Sequence, residues 1–219
     1  MKFREFLLNE AEYTVQPKTK AELTRIIEST IKEKGDKCDL NFIDTSKITD
    51  MSYLFEDSKF NGDISKWDVS NVKNMEAMFY KAKFFNQPIG NWDVSKVKDM
   101  SHMFNGANSF NQPIGKWDTS QVVDMGWMFN GANSFNQPIG KWDTSKVKDM
   151  SHMFNNANSF NQPIGGWNVS KVRYVSDMFN GAKSFNQDLS SWDSLKHGQI
   201  WNMFEKSPLE NNPPSWYKI

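Results

Sequence analysis

The sequence predicts an α/β solenoid with one short parallel strand and one short helix in each 25-residue coil, closed at its start by a separate helix. Three observations lead there. Trp67, Trp92, Trp117, Trp142, Trp167 and Trp192 stand 25 residues apart, and Phe85, Phe110, Phe135, Phe160 and Phe185 keep the same step. A Met-Phe pair recurs at 78–79, 103–104, 128–129, 153–154, 178–179 and 203–204. The hydrophobic period changes within each unit. A fixed period of about 20–50 residues marks one structural unit stacked on copies of itself, each touching only its neighbours. Such folds mostly present extended binding surfaces.

Residues 1–16 read as a leader, in which Phe3, Phe6 and Leu7 have helical spacing and Gln16-Pro17 forms the break. Residues 17–39 read as a helical cap. Thr19 and Glu22 make a capping box, Leu23, Ile26, Ile27 and Ile31 line one face, and Gly35 stands at the C-cap. The repeat then runs from residue 40 to 204. Val97, Met100, Met103, Phe104 and Ala107 fall at helical spacing, with Ser95 as N-cap and Asn105-Gly106 as exit. Ile89-Gly-Asn-Trp92-Asp-Val94 precedes them as a short extended segment, with Pro88 at its entrance. Residues 205–219 read as a C-terminal cap containing Trp216.

The aromatic and Met series are read as core. Each buried aromatic hides about 150–250 Å², worth about 4–6 kcal/mol at about 25 cal/mol per Å². The Asn series at 61, 86, 111, 136, 161 and 186 is read as an amide ladder between coils. Asp68, Asp93, Asp118, Asp143 and Asp193 form a row of like charge that something must offset. Calcium loops carry several acids plus glycine, whereas each coil here has one acid in that row. The offset is therefore assigned to nearby backbone N–H groups, helix dipoles and Lys96, Lys146 and Lys171.

Lys plus Arg equals Asp plus Glu at 26 each, which gives no general attraction to nucleic acid or an anionic membrane. No apolar run is long enough to cross a membrane, and none has signal-peptide length. The lone Cys38 is read as a packed residue of the first strand. No convergent acid pair, nucleophile elbow or phosphate-cradling glycine loop is present, so the expectation is a chain without enzymatic activity, cofactor or metal. His102 and His152 occupy the same repeat position two coils apart, about 10 Å, too far to share one ion.

The informative positions are those that vary. Two residues after the first Met of each unit, the column reads Tyr53, Ala77, His102, Trp127, His152, Asp177 and Asn202. Helical geometry would turn this column outward and set Trp127 against Val123, where other coils carry Lys73, Lys98, Lys148 and Arg173. Tyr53, His102, Val123, Trp127 and His152 are thus the candidate binding residues for a protein partner. Stray surface residues are the competing reading. The rival surface is the strand face with Asn91, Lys116 and Lys141. Residues 103–120 and 128–145 are identical, which suits duplicated binding units or a spacer.

The run Met78-Phe-x-x-Ala-x-x-Phe-Asn-Gln-Pro-Ile-Gly-x-Trp-Asp-Val-Ser-x-Val-x-x-Met100 resembles the BspA-like leucine-rich repeats of bacterial surface proteins and mycoplasma lipoproteins. The resemblance covers residues 40 to about 204. It implies a right-handed leucine-rich-repeat solenoid, and an exported protein that binds host or matrix proteins. Leu8-Asn9-Glu10 before Ala11 resembles the cleavage site of phage prohead proteases, with Glu10 and Ala11 flanking the cut. An ordinary amphipathic N-terminus reads equally well. The expected function is a monomeric binding scaffold in a phage virion or the host cytoplasm. A surface adhesin and a structural virion spacer are the alternatives.

Overall fold

The computed structural model describes residues 14–197 and 199–218. The leader, including Glu10 and Ala11, lies outside the described residues save for its last three positions. Those three pair with the repeat: Thr14 N–H donates to Phe42 O and Asp44 N–H to Val15 O, both at 2.9 Å.

The cap helix α1 spans Lys20–Lys34. Thr19 accepts from the Glu22 N–H at 3.2 Å, and Glu22 reaches back to the Lys18 N–H at 2.7 Å. Gly35, at φ 84°, donates its N–H to Ile31 O. Leu23 and Ile27 are buried, with Ile26 and Ile31 packed at the edge. Lys20 ties the helix to the first coil through Ser52 at 2.6 Å and Asp50 at 3.8 Å.

Beyond α1 the α/β expectation is overturned. Among the described residues no further α-helix forms, and the only pairings are isolated parallel bridges. Besides Val15–Ile43, these run Asp50, Asn74, Asp99, Asp124, Asp149, Tyr174, Gln199, one residue per coil. They fall just before the Met, not on the Ile-to-Trp segment read as a strand. There a tight turn closes instead, with Trp92 N–H on Ile89 O at 3.2 Å. Cys38 is buried but belongs to no strand. The leucine-rich-repeat architecture of one strand and one helix per coil is therefore not what this sequence forms.

The reason lies in the backbone. Two positions per coil take positive φ, among them Tyr53 and Asp57, His102 and Gly106, Trp127 and Gly131, His152 and Asn156. Two left-handed residues four positions apart prevent an α-helix across this part of the coil. Alternate N–H groups serve the next coil: Met100 to Asp124 O at 3.0 Å, His102 to Gly126 O at 2.9 Å, Phe104 to Met128 O at 2.9 Å, Gly106 to Asn130 O at 2.7 Å. The intervening ones close four-residue turns, such as Met103 to Met100 O and Asn105 to His102 O. These turns advance the inward phase in steps of three, so Met100, Met103, Phe104 and Ala107 are buried at what look like helical intervals.

The core is a set of ladders. Phe104, Phe129 and Phe154 stack at 5.6–5.7 Å between ring centroids, and each lies 3.9–4.0 Å from the Phe six residues on in its own coil. Trp117 donates to Ile89 O at 3.2 Å and Trp142 to Ile114 O at 3.1 Å. Trp216 closes that series on Leu189 O at 2.7 Å. The Asn ladder has a definite form: Asn111 Oδ1 accepts the Asn136 N–H at 3.0 Å and Gln137 Nε2 at 2.9 Å. Gly115 stands where a Cβ would lie 2.2 Å from Pro138 O, which explains the glycine at that corner.

Candidate functional site

The varying column sits on the first left-handed position of each coil. Tyr53, Ala77, His102, Trp127, His152, Asp177 and Asn202 all have φ between 51° and 62°. Bulky residues rarely adopt this region, at a cost of about 1–2 kcal/mol. The inter-coil hydrogen bonds hold them there. Because successive coils repeat the same backbone, their side chains stack.

His102 and Trp127 lie 5.5 Å apart between ring centroids at 12°, and Trp127 and His152 3.8 Å apart at 21°. Tyr80 meets His102 edge-on at 6.2 Å. The result is an aromatic column, half-buried, with Trp127 sandwiched between two imidazoles. Burial lowers the pKa of both histidines, opposed by Glu76, Asp99 and Asp149 at His102 and by Asp177 and Asp149 at His152. Asn105 Nδ2 lies 3.1 Å from His102 Nδ1, and His152 Nε2 lies 3.8 Å from Asp177 Oδ2.

Tyr53 stands apart. Buried Ala77 separates it from His102, and its hydroxyl donates to Glu76 Oε1. That bond raises the Tyr53 pKa to about 12. Val123 is half-buried, and its backbone spans Lys98 O at 2.8 Å and the Lys148 N–H at 2.8 Å. No helical turn joins Val123 to Trp127, so the helix-based pairing of the two does not apply. They share one coil and flank Asp124. On the rival surface Asn91, Lys116 and Lys141 are all exposed.

On the bridge positions runs a carboxylate row that the sequence reading did not single out: Asp99, Asp124 and Asp149. Asp99 accepts from Ser101 N at 2.9 Å and Oγ at 2.6 Å. Asp149 accepts from Ser151 N at 2.7 Å and Oγ at 2.6 Å. Asp124 has the Gly126 N–H at 2.9 Å and no hydroxyl, because residue 126 is glycine. A Cβ there would stand 3.2 Å from Asp124 Oδ1 and 3.3 Å from Asp149 Oδ1. Burial, followed by the charges of Asp149, Asp99 and Glu76, raises the Asp124 pKa to about 6.

One comparison within the sequence exposes this rung. Residues 96–102 and 146–152 both read Lys-Val-Lys-Asp-Met-Ser-His, whereas 121–127 read Gln-Val-Val-Asp-Met-Gly-Trp. The acids first singled out, Asp93 and Asp143, have local partners instead. Hydrogen bonds from Ser95 and Ser145 hold them below the usual carboxylate range, and Lys96 and Lys146 reach back to Asn71 and Gln121 at 2.8 Å. No helix follows them, so the dipole part of that explanation falls. Other exposed aromatics also escaped the sequence reading, including Phe84, Tyr174 and Trp201, the last 64% exposed.

Among the described residues no group of three or more His, Cys, Asp or Glu could hold a metal ion, and no helix is long and apolar enough to cross a membrane. Comparison with curated proteins and with solved structures gives no match. The family described as "Mycoplasma protein of unknown function, DUF285" matches residues 27–136 and again 111–216, two overlapping stretches that together take in all the tandem coils. The chain therefore belongs to this Mycoplasma repeat family.

Proposed function

We propose that the chain is a non-enzymatic scaffold that binds a protein partner on the face carrying His102, Val123, Trp127 and His152, with Tyr53 at its edge. One observation carries this reading. Coil 121–127 departs at four of seven positions from two neighbours that are identical to each other, while the flanking stretches 103–120 and 128–145 are themselves identical. Three of the four departures, Val123, Gly126 and Trp127, lie within three residues of Asp124 in sequence. A spacer has no use for divergence gathered in one short stretch of one coil.

The test is Trp127→Ala beside a Lys116→Ala/Lys141→Ala control on the rival surface. Loss of partner binding in the first alone, with the far-ultraviolet spectrum unchanged, supports the reading. Unchanged affinity sinks it. The setting is a separate question: the Leu8-Asn9-Glu10-Ala11 segment supports a phage virion, and the BspA-like resemblance of the repeat supports a bacterial surface. Intact mass of the native protein decides between them, since prohead processing would leave a chain starting at Ala11.

A further inference from the structure

The asparagine ladder has an open end, and a cavity lies against it. At each earlier rung the asparagine of one coil serves the next. Asn86 Oδ1 accepts the Asn111 N–H at 2.9 Å, and Asn86 O and Oδ1 both accept Gln112 Nε2 at 3.0 Å. Asn136 does the same for Gln162 at 3.1 and 2.9 Å, and Asn161 for Gln187 at 3.2 and 2.8 Å. The next rung is unfilled. Among the described residues nothing donates to Asn186 O or Oδ1, and Asn186 is exposed where Asn61, Asn86, Asn111, Asn136 and Asn161 are half-buried.

The sequence shows why. The columns of Asn161-Gln162-Pro163 continue through Asn186-Gln187-Asp188 to Asn211-Asn212-Pro213, so Asn212 stands in the glutamine column one methylene short. The C-terminal segment does take the place of a further coil. Trp216 donates to Leu189 O at 2.7 Å, as Trp167 does to Ile139 O at 3.1 Å. Between that segment and the ladder end is a cavity of about 290 Å³. Asn186, Asp188 and Leu189 line it from the ladder end, and Leu209, Asn212 and Pro214 from the closing segment.

We infer that this cavity binds one glutamine side chain of a partner polypeptide, held as the missing rung. Its Nε2 donates to Asn186 O and Oδ1, the pair of oxygens that the glutamine amide uses at Asn61, Asn86, Asn136 and Asn161. The N–H of the residue before it donates to Asn186 Oδ1, as the Asn111 N–H does to Asn86. Leu189, Leu209 and Pro214 give the stem an apolar lining. The volume falls just short of the about 300–1,000 Å³ of small-molecule pockets, which is the scale of a single side chain. Asp188 replaces the proline found at 88, 113, 138 and 163, and its Oδ1 takes the Ser190 N–H at 2.8 Å. The site therefore offers acceptors, and a glutamate, with no side-chain donor at neutral pH, is refused. This end of the chain is separate from the Trp127 face, and the inference does not rest on it.

The probe is the tripeptide Ala-Gln-Pro, acetylated and N-methylamidated, titrated into the ¹⁵N-labelled full chain while the side-chain amides of Asn186 and Asn212 are followed. The result expected is a saturable shift of both, absent with the matched Ala-Glu-Pro peptide. Asn186→Ala, read at Asn212, should weaken binding at least fivefold. The Asn186 side chain bonds nothing among the described residues, so the fold does not depend on it. Asn186→Asp keeps the acceptor and should retain binding. No saturable shift, equal shifts from the two peptides, or binding that Asn186→Ala leaves unchanged overturns the inference. Tighter binding of the matched Ala-Arg-Pro peptide also overturns it, and assigns the cavity to a cation.

Discussion

Trp127 and His152, 25 residues apart in sequence, stack with their ring centroids 3.8 Å apart because both occupy the same left-handed backbone position in adjacent coils. A column of side chains on such a position is unusual. It depends on inter-coil bonds such as Trp127 N–H to Ser151 O at 2.8 Å, which satisfy the backbone polar groups that a helix would have used internally. The ring stack and the inter-coil backbone ladder therefore share one structural element.

Trp127→Ala removes two ring stacks, to His102 and His152, from a half-buried site. The expected loss is about 1–2 kcal/mol in urea unfolding, with the fold retained. A loss above about 4 kcal/mol would mean that Trp127 is core and not surface.

Asp124 gives a pH signature. Its folded pKa is raised to about 6, above the ordinary carboxylate value of 3.8. A raised folded pKa means the native chain binds the proton more tightly. The stabilisation is full below about pH 4 and is lost as pH rises through about 6. Asp124→Asn should therefore be more stable than the wild type at pH 7, by about 1 kcal/mol once solvent screening is allowed for, and no more stable at pH 4. Paired urea titrations at the two pH values check it.

Gly115→Ala should be severe. The added Cβ would sit 2.2 Å from the backbone oxygen of Pro138, and neither coil can withdraw without breaking the ladders on both sides. The expected cost is about 3 kcal/mol or more in urea unfolding. Asn111→Ala at the same corner leaves the Asn136 N–H and Gln137 Nε2 without their shared acceptor, and should cost about 2–3 kcal/mol.

Asp57→Gly should go the other way. Asp57 is exposed with φ 50°, at the second left-handed position, where Gly106, Gly131 and Gly181 stand in other coils. Removing the Cβ relieves strain, and a gain of about 0.5–1 kcal/mol in thermal unfolding is expected.

The repeat, its period and its core were legible in the sequence, because burial depends only on which residues recur. The α1 cap was legible down to Thr19 and Gly35, since capping is local chemistry. The backbone of the coil was not. Met100, Met103 and Phe104 carry helical spacing, but that spacing comes from four-residue turns alternating with bonds to the next coil. What gives the alternation away is the second left-handed position, where glycine recurs at 106, 131 and 181. His102, Trp127 and His152 stack through a shared left-handed backbone position, not through a helix face. Asp124 was not legible as distinct, since what sets it apart is the hydroxyl missing at Gly126, which spacing alone does not show.

The measurement that tests the account most directly is partner affinity in the triple reversion Val123→Lys, Gly126→Ser, Trp127→His. This variant gives the central coil residues that both neighbours already carry, so its fold is secured by the protein's own example. The account predicts that affinity falls at least a hundredfold while the unfolding midpoint stays within a few degrees. Unchanged affinity in a folded triple variant would contradict it, and would move the search to the face carrying Asn91, Lys116 and Lys141.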